Sequence, residues 1–455
     1  MPFPRKFIWG AATSAYQIEG ATRTDGRGAS VWDAFCAQPG RVKGGQNADV
    51  ACDHYNRHRE DVAMMRAMGL RAYRFSVAWP RVMPRGRGRV SEAGLGFYDR
   101  LVDELLAAGL EPWVTLFHWD YPLALYREGG WLSPESPRWF SDYTAVLVDR
   151  LSDRVTRWIT MNEPQCFIGL GHLTGTQAPG DKLPMKKALL AAHNVLLAHG
   201  LAVQVIRSRA KRASFVGISQ TGEVGLPATG SRSDVSAARE ANWSVADGSL
   251  FNMAWWTDPI LKGHYPEQGC RAYGKAVPKA SDADLATMRQ PLDFLGLNIY
   301  HGNAFRRGKK GPEAVASDPG DPRTHYGWPV APASMYWGPR FAHERYGLPL
   351  VITENGMANL DWVALDGHVH DPQRIDYLGR YLGELRLAID SGVPVLGYFA
   401  WSLMDNFEWS DGYNYRFGLV HVDYATQRRT LKDSALWYRS IIRSRGGALE
   451  VAARA

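Results

Sequence analysis

YNRHREDVAMMRAMGLRAYRFSVAW, residues 55–79, contains one repeat of the architecture expected for the whole chain. Val62, Met65 and Met68 recur at helical spacing, Gly69 stops the helix, and Leu70 opens a run with Tyr73, Phe75, Val77 and Trp79 that reads as a strand covered on both faces. Seven more runs share that character: FIWGAAT (7–13), EPWVTLFHW (111–119), RWITMN (157–162), SFVGISQ (214–220), DFLGLNIY (293–300), PLVITEN (349–355) and VLGYFAWSL (395–403). Helical periods separate them at 97–109, 141–153, 187–209 and 374–392, and another follows at 430–444. Strands alternating with helices eight times predict an α/β protein, a closed (β/α)8 TIM barrel whose long βα loops form a pocket. An open doubly wound sheet would show a glycine-rich turn after its first strand; FIWGAATSAYQIEG has only Gly10 and Gly20, and no GxxxxGK[ST] loop occurs. No linker divides the chain, so residues 1–455 are expected to form a single barrel domain. The stretches 221–290 and 301–340 read as loops carrying short helices.

Bulk properties remove several classes of function. With 45% hydrophobic and 22% charged residues, the composition is that of a soluble globular protein. The net charge of +7 includes short arginine runs (Arg81, Arg85, Arg87, Arg89; Arg207, Arg209, Arg212). Solvated loops and helix ends explain these runs, and no nucleic-acid-binding motif accompanies them, so no nucleic-acid partner is expected. Cys36, Cys52, Cys166 and Cys270 form no CxxC pair, which argues against a disulfide framework and a structural zinc site. No metal or other cofactor is expected. The first twenty residues lack a continuous apolar segment, and no run approaches the ~18 apolar residues of a membrane span. A cytoplasmic protein without a membrane partner is the expectation; the sequence is compatible with a homo-oligomer.

Polar residues gather where the predicted strands end. Gln17 follows the first strand and Arg74 lies on the second; the third ends in His118 and Trp119, the fourth in Asn162 and Glu163. The sixth ends in Asn298 and Tyr300, the seventh in Glu354 and Asn355, and the eighth delivers Trp401, then Glu408 and Trp409. In a barrel all of these reach one rim. Taken singly, Glu163 could be a helix N-terminal acid before Pro164, Glu354 a turn carboxylate, and His118 a satisfied interior histidine. Taken together, two carboxyl groups at one rim suit cleavage of a sugar acetal, in which one donates a proton and the other attacks. If strand four stays extended, Met161 lies on the same face as Glu163, one layer deeper in the barrel.

These residues resemble glycoside hydrolase family 1, the β-glucosidase and β-galactosidase group. The likeness runs along the chain through FIWGAATSAYQIEG (7–20), YRFSVAWPR (73–81), TLFHWDYP (115–122), TMNEP (160–164), APG (178–180), LGLNIY (295–300), ITENG (352–356) and WSLMDNFEWSDGYNYRFGLVHVDY (401–424). The resemblance implies a retaining double displacement on a terminal non-reducing β-D-glycosyl residue of a small glycoside or disaccharide. Glu354 matches the nucleophile and Glu163 the acid/base. Gln17, His118, Trp119, Asn162, Glu408 and Trp409 match residues around the sugar, and Trp401 a platform under it. Asn298 and Tyr300 match supports of the nucleophile and the 2-hydroxyl region, beside Arg74. Glucosides are the expected substrates, with galactosides and fucosides also accepted. The resemblance also allows transfer of the sugar to an alcohol in place of water.

Two departures stand out: TMNEP where TFNEP is commoner, and GWPVAPASMYWGPR (327–340) in place of GWxxxPxGL. Trp328 in the latter is the candidate leaving-group contact. The alternatives are a 6-phosphosugar hydrolase, which Glu408 and Trp409 oppose by repulsion and bulk, and a non-hydrolytic sugar-binding protein on the same fold. A retaining mechanism requires carboxyls about 5–5.5 Å apart. It also calls for a nucleophile of low pKa beside Arg74 and an acid of higher pKa in its partner's negative field.

Overall fold

The computed structural model describes residues 2–449; residue 1 and residues 450–455 of the expected domain lie outside the described residues. Eight parallel strands close a barrel. They are β1 (Ile8–Ala12), β2 (Ala72–Ser76), β3 (Glu111–Phe117), β4 (Arg157–Asn162), β5 (Phe215–Gln220), β6 (Phe294–Asn298), β7 (Leu350–Asn355) and β8 (Val395–Trp401). Each pairs with its neighbours in sequence, and β8 returns to β1. All eight lie within the predicted runs, because strands walled by helices outside and side chains inside have no polar face.

Two apolar layers follow from this closure. Inside the barrel, Ala12, Ala72, Trp113, Ile159, Phe294, Val351, Phe399 and Trp401 form one cluster. The Trp113 ring lies 5.4 Å from Phe294 and 5.1 Å from Phe399. Glycine makes room for these rings: a Cβ on Gly10 would stand 2.4 Å from Phe399, and one on Gly217 would stand 2.6 Å from Phe294. The barrel is thus plugged by aromatic rings, and the polar residues above them line a blind pocket. Outside, alternate strand residues such as Tyr73, Phe75 and Tyr398 pack into the larger cluster under the helices.

Bulges ahead of two rim glutamates break the alternation. On β4, Ile159 pairs with Gly217 and Asn162 with Ser219, so three residues span what two span on β5. On β7, Ile352 pairs with Leu297 and Glu354 with Asn298. Each bulge lies immediately before a glutamate. The first overturns the expected place of Met161: the strand does not stay extended, and Met161 belongs with Phe117 to the outer cluster and not to the barrel interior beneath Glu163.

Several other elements depart from the sequence reading. The helix expected over 97–109 spans Glu92–Ala107, because the Ser91 hydroxyl caps it by accepting from the Gly94 N–H. The last helix begins at Asp433, since Arg429–Leu431 pairs as a short strand with Val420–Val422. The long connections hold more order than loops with short helices. Residues 225–227, 303–308 and 311–314 form a small sheet, and Ser334–Tyr346 is a 13-residue helix despite Pro339 inside it. The helix Met185–Arg209 is long and apolar enough to cross a membrane, but most of it is buried within the protein, which accounts for its composition.

A buried ion network anchors the rim loops. Lys432 Nζ lies 2.6 Å from both Asp361 and Asp405. Arg374 pairs with Asp361 and Asp371, and Arg416 with Asp405. Three cations thus meet three carboxylates, tying the segment after β7 to the segment after β8 that carries Glu408. Replacing Lys432 with Met leaves one buried carboxylate uncompensated. It is expected to lower stability by about 3–5 kcal/mol, read from denaturant melts; a loss within the ordinary surface range would refute the network's role.

Candidate active site

A cavity of about 360 Å³ opens at the C-terminal rim of the barrel. Of the residues singled out from sequence, His118, Trp119, Glu163, Asn298, Tyr300, Trp328, Glu354, Trp401, Glu408 and Trp409 line it. Gln17, Arg74 and Asn162 are buried just behind its wall. Asn355 turns away and donates to the Ile299 carbonyl at 2.8 Å.

The two glutamates have different partners. Glu354 accepts from Arg74 Nη1 at 2.7 Å and from the Tyr300 hydroxyl at 2.6 Å. Glu163 accepts from Asn298 Nδ2 at 2.7 Å and from the Cys166 thiol at 3.3 Å. Burial pushes Glu163 up to about 8, aided by the negative charge of Glu354, while Asn298 and Cys166 pull the other way. Burial also raises Glu354, against Arg74 and Tyr300. The expectation of a depressed Glu354 therefore fails, because desolvation of a carboxylate this deep outweighs its cation. The order of the pair survives: a charged donor and a phenol hold the anion on Glu354, so the proton they share resides on Glu163.

A hydrogen-bond relay joins these groups. Asn162 Oδ1 receives Arg74 Nη2 at 2.6 Å and Asn298 Nδ2 at 3.0 Å. Its own Nδ2 donates to His118 Nε2 at 3.1 Å, which leaves the ring proton on Nδ1. That Nδ1 is buried without a protein partner. Burial, then the charge of Arg74, holds His118 well below its usual value, so the ring is neutral. Gln17 is fully engaged: its amide donates to Asn406 and the Phe407 carbonyl at 2.9 Å each, and it lies 3.5 Å behind Glu408. Glu408 is raised well above the carboxylate range by burial and by nearby Asp411, which itself takes Lys43 at 2.5 Å and the Tyr326 hydroxyl at 2.8 Å.

Backbone strain concentrates at this rim. Trp119, Glu163 and Trp409 have φ of 81°, 48° and 51°, a region unfavourable to side chains this large. Packing holds them: the Trp409 ring lies 4.5 Å from Trp119 and 4.6 Å from Trp32, and the Trp119 indole N–H donates to the Asn162 carbonyl at 2.9 Å.

Sequence reasoning missed Cys166, Leu170, Gln177, Thr221, Gly222, Phe251, His301, Tyr326 and Phe417, which also line the cavity. Cys166 had a readable signal, standing three residues after Glu163 in the helix Pro164–Ile168. Phe251, 43% exposed, comes from an irregular connection whose position no local pattern specifies. Among the described residues no group of three His, Cys, Asp or Glu stands ready to hold a metal ion.

The model of glycosyl hydrolase family 1 matches residues 1–447. β-Glucosidase A of Thermotoga maritima is 43% identical over 446 residues, covering 98% of each chain. The β-glucosidase of an Agrobacterium species is 44% identical over 96% of this chain and 95% of its own. A 1,4-β-D-glucan glucohydrolase of Thermotoga neapolitana is 42% identical over 98% of this chain and 99% of its own. The solved structure of the Thermotoga maritima β-glucosidase with deoxynojirimycin superposes with a TM-score of 0.90 at 42% identity, over 98% of this chain and 99% of that one.

The raised Glu163 carries a stability signature. A carboxyl that binds its proton more tightly when folded weakens folding as pH climbs from its unfolded value, about 4.3, and the loss is complete above its folded value, about 8. Below that window it has no effect. Glu163→Gln is therefore expected to melt above the unaltered chain at pH 8, by of order 1–3 kcal/mol, with the gap closing toward pH 4. A gap independent of pH would contradict the burial of a titrating acid here.

Proposed function

The chain belongs to glycosyl hydrolase family 1, and from that premise we propose that it removes terminal non-reducing β-D-glucosyl residues from small glycosides by double displacement, with Glu354 as nucleophile and Glu163 as acid/base. The observation that carries the assignment is the unequal hydrogen bonding of two buried carboxyls in one pocket. Arg74 and Tyr300 keep Glu354 anionic and aim it at the anomeric carbon. Glu163, holding its proton to about pH 8, gives it to the departing oxygen. The glycosyl–enzyme ester that forms removes the charge of Glu354. The proton affinity of Glu163 then falls, and as a carboxylate it takes a proton from the incoming water, whose oxygen displaces Glu354 and releases the sugar with its β configuration.

The sugar contacts follow from the free valences of the wall. His118 lines the wall and can meet a hydroxyl there. Trp401 offers an indole face, and Glu408 and Trp409 meet the 4- and 6-hydroxyl side. Gln17 acts through Glu408, since its own amide is already committed. A site of this kind accepts glucosides, and also galactosides and fucosides, which differ at those two positions. Trp409 opposes a 6-phosphate by its bulk. Trp328, 5.2 Å from the Tyr300 ring, walls the leaving-group side. The same ester can pass its sugar to an alcohol. We take the chain to act as one catalytic unit, in the cytoplasm, where its four unpaired cysteines suit a reducing medium.

Glu354→Gly is expected to abolish hydrolysis, and azide or formate to restore part of it as a replacement nucleophile. A folded variant that neither anion rescues would remove Glu354 from the role. Glu163→Ala should spare 2,4-dinitrophenyl β-glucoside in the first step while crippling cellobiose and lactose; equal damage to both classes would sink the acid assignment. For the unaltered enzyme, kcat/KM should fall above about pH 8, and NMR should show the β-anomer released first.

A further inference from the structure

The bulge in β7 exposes a role for the residue before the nucleophile. Ile352 pairs with Leu297 and Glu354 with Asn298, so Thr353 is the extra residue between them. It is fully buried, yet both of its polar groups face the site. Its carbonyl accepts Arg74 Nη1 at 2.9 Å, the same nitrogen that grips Glu354. Its hydroxyl donates to Asn298 Oδ1 at 2.6 Å.

The orientation of the Asn298 amide decides what Glu163 meets. Asn162 Oδ1 already receives Arg74, which can only donate, so the atom of Asn298 facing it at 3.0 Å is the NH2 nitrogen. That nitrogen also donates to Glu163 Oε1 at 2.7 Å. The opposite end of the amide, its carbonyl oxygen, has the Thr353 hydroxyl as its donor. The Arg74–Asn162 pair thus sets which way the amide faces, and the Thr353 hydroxyl at its carbonyl end holds it in place. We propose that Thr353 is a positioning residue for the acid/base: its hydroxyl anchors the Asn298 carbonyl so that the NH2 at the other end of the amide stays aimed at Glu163, stabilising the carboxylate form needed for the water step.

The inference rests on Glu163 as acid/base. Without that anchor the Asn298 NH2 can move off Glu163, the carboxylate loses a donor, and the proton is held more tightly. Thr353→Val and Thr353→Ala are each expected to move the alkaline limb of kcat/KM on 4-nitrophenyl β-glucoside upward by about one pH unit, the worth of one hydrogen bond. Each should also lower kcat on 2,4-dinitrophenyl β-glucoside, where breakdown of the ester limits turnover, by roughly tenfold. Thr353→Ser, which keeps the hydroxyl, should restore both. A merely structural threonine would change stability and leave the limb in place. An unmoved limb in the Val and Ala variants, a Ser variant as displaced as Val, or failure of Val and Ala alike to fold would each overturn the proposal. Persistence of the limb in Glu163→Gln would instead refute the reading of Glu163 itself, whatever Thr353 does.

Discussion

A guanidinium buried beneath the pocket organises everything above it. Arg74 is 1% exposed, and its three nitrogens reach Thr115, the Thr353 carbonyl, Glu354 and Asn162. A cation that far from water is tolerable only with an anion and a full set of acceptors around it. Glu354 is that anion. The requirement runs both ways: the carboxylate proposed as nucleophile is held ionised in an apolar barrel because Arg74 cannot lose its proton. The relay through Asn162 and Asn298 extends this constraint to Glu163 and His118 by hydrogen bonds alone.

The barrel supplies what such a relay needs, which is rigidity. Aromatic rings fill the barrel below, so the polar layer cannot sink, and the buried ions around Lys432 tie the loops above to one another. Bulges in β4 and β7 let consecutive residues serve one site, where an unbroken strand would send every second side chain outward. Asn162 and Glu163 both join the hydrogen-bonded site, and so do Thr353 and Glu354.

Function here is held against stability. Three carboxyls are raised by burial in one cavity, and three large residues sit at positive φ around it. Each such residue costs of order 1–3 kcal/mol, sustained by the packing of Trp32, Trp119 and Trp409 and by the barrel core. In the proposed mechanism the return is an acid that loses its proton affinity when its neighbour is esterified. A single group can then give a proton in one step and take one in the next, with no movement of the backbone.

Much of this was written along the chain. Period and punctuation placed all eight strands, since burial on both faces leaves a continuous apolar run that needs no partner to be recognised. The rim residues were legible for the same reason: a polar group at the end of such a run has only the barrel mouth to occupy. What stayed hidden depended on register and on distant contacts. Met161 was assigned to the wrong layer because a bulge is a relation between two strands. Glu354 was expected to titrate low because the arginine is visible in sequence while the dryness around it is not. Phe251 and Tyr326 reach the pocket from connections whose course is set by what they pack against. The chain alone therefore specified which groups meet at the rim, through periodicity that each segment carries locally. Only the closed barrel decided how they face one another, because orientation, desolvation and the amide lock on Glu163 arise from atoms brought together across the fold.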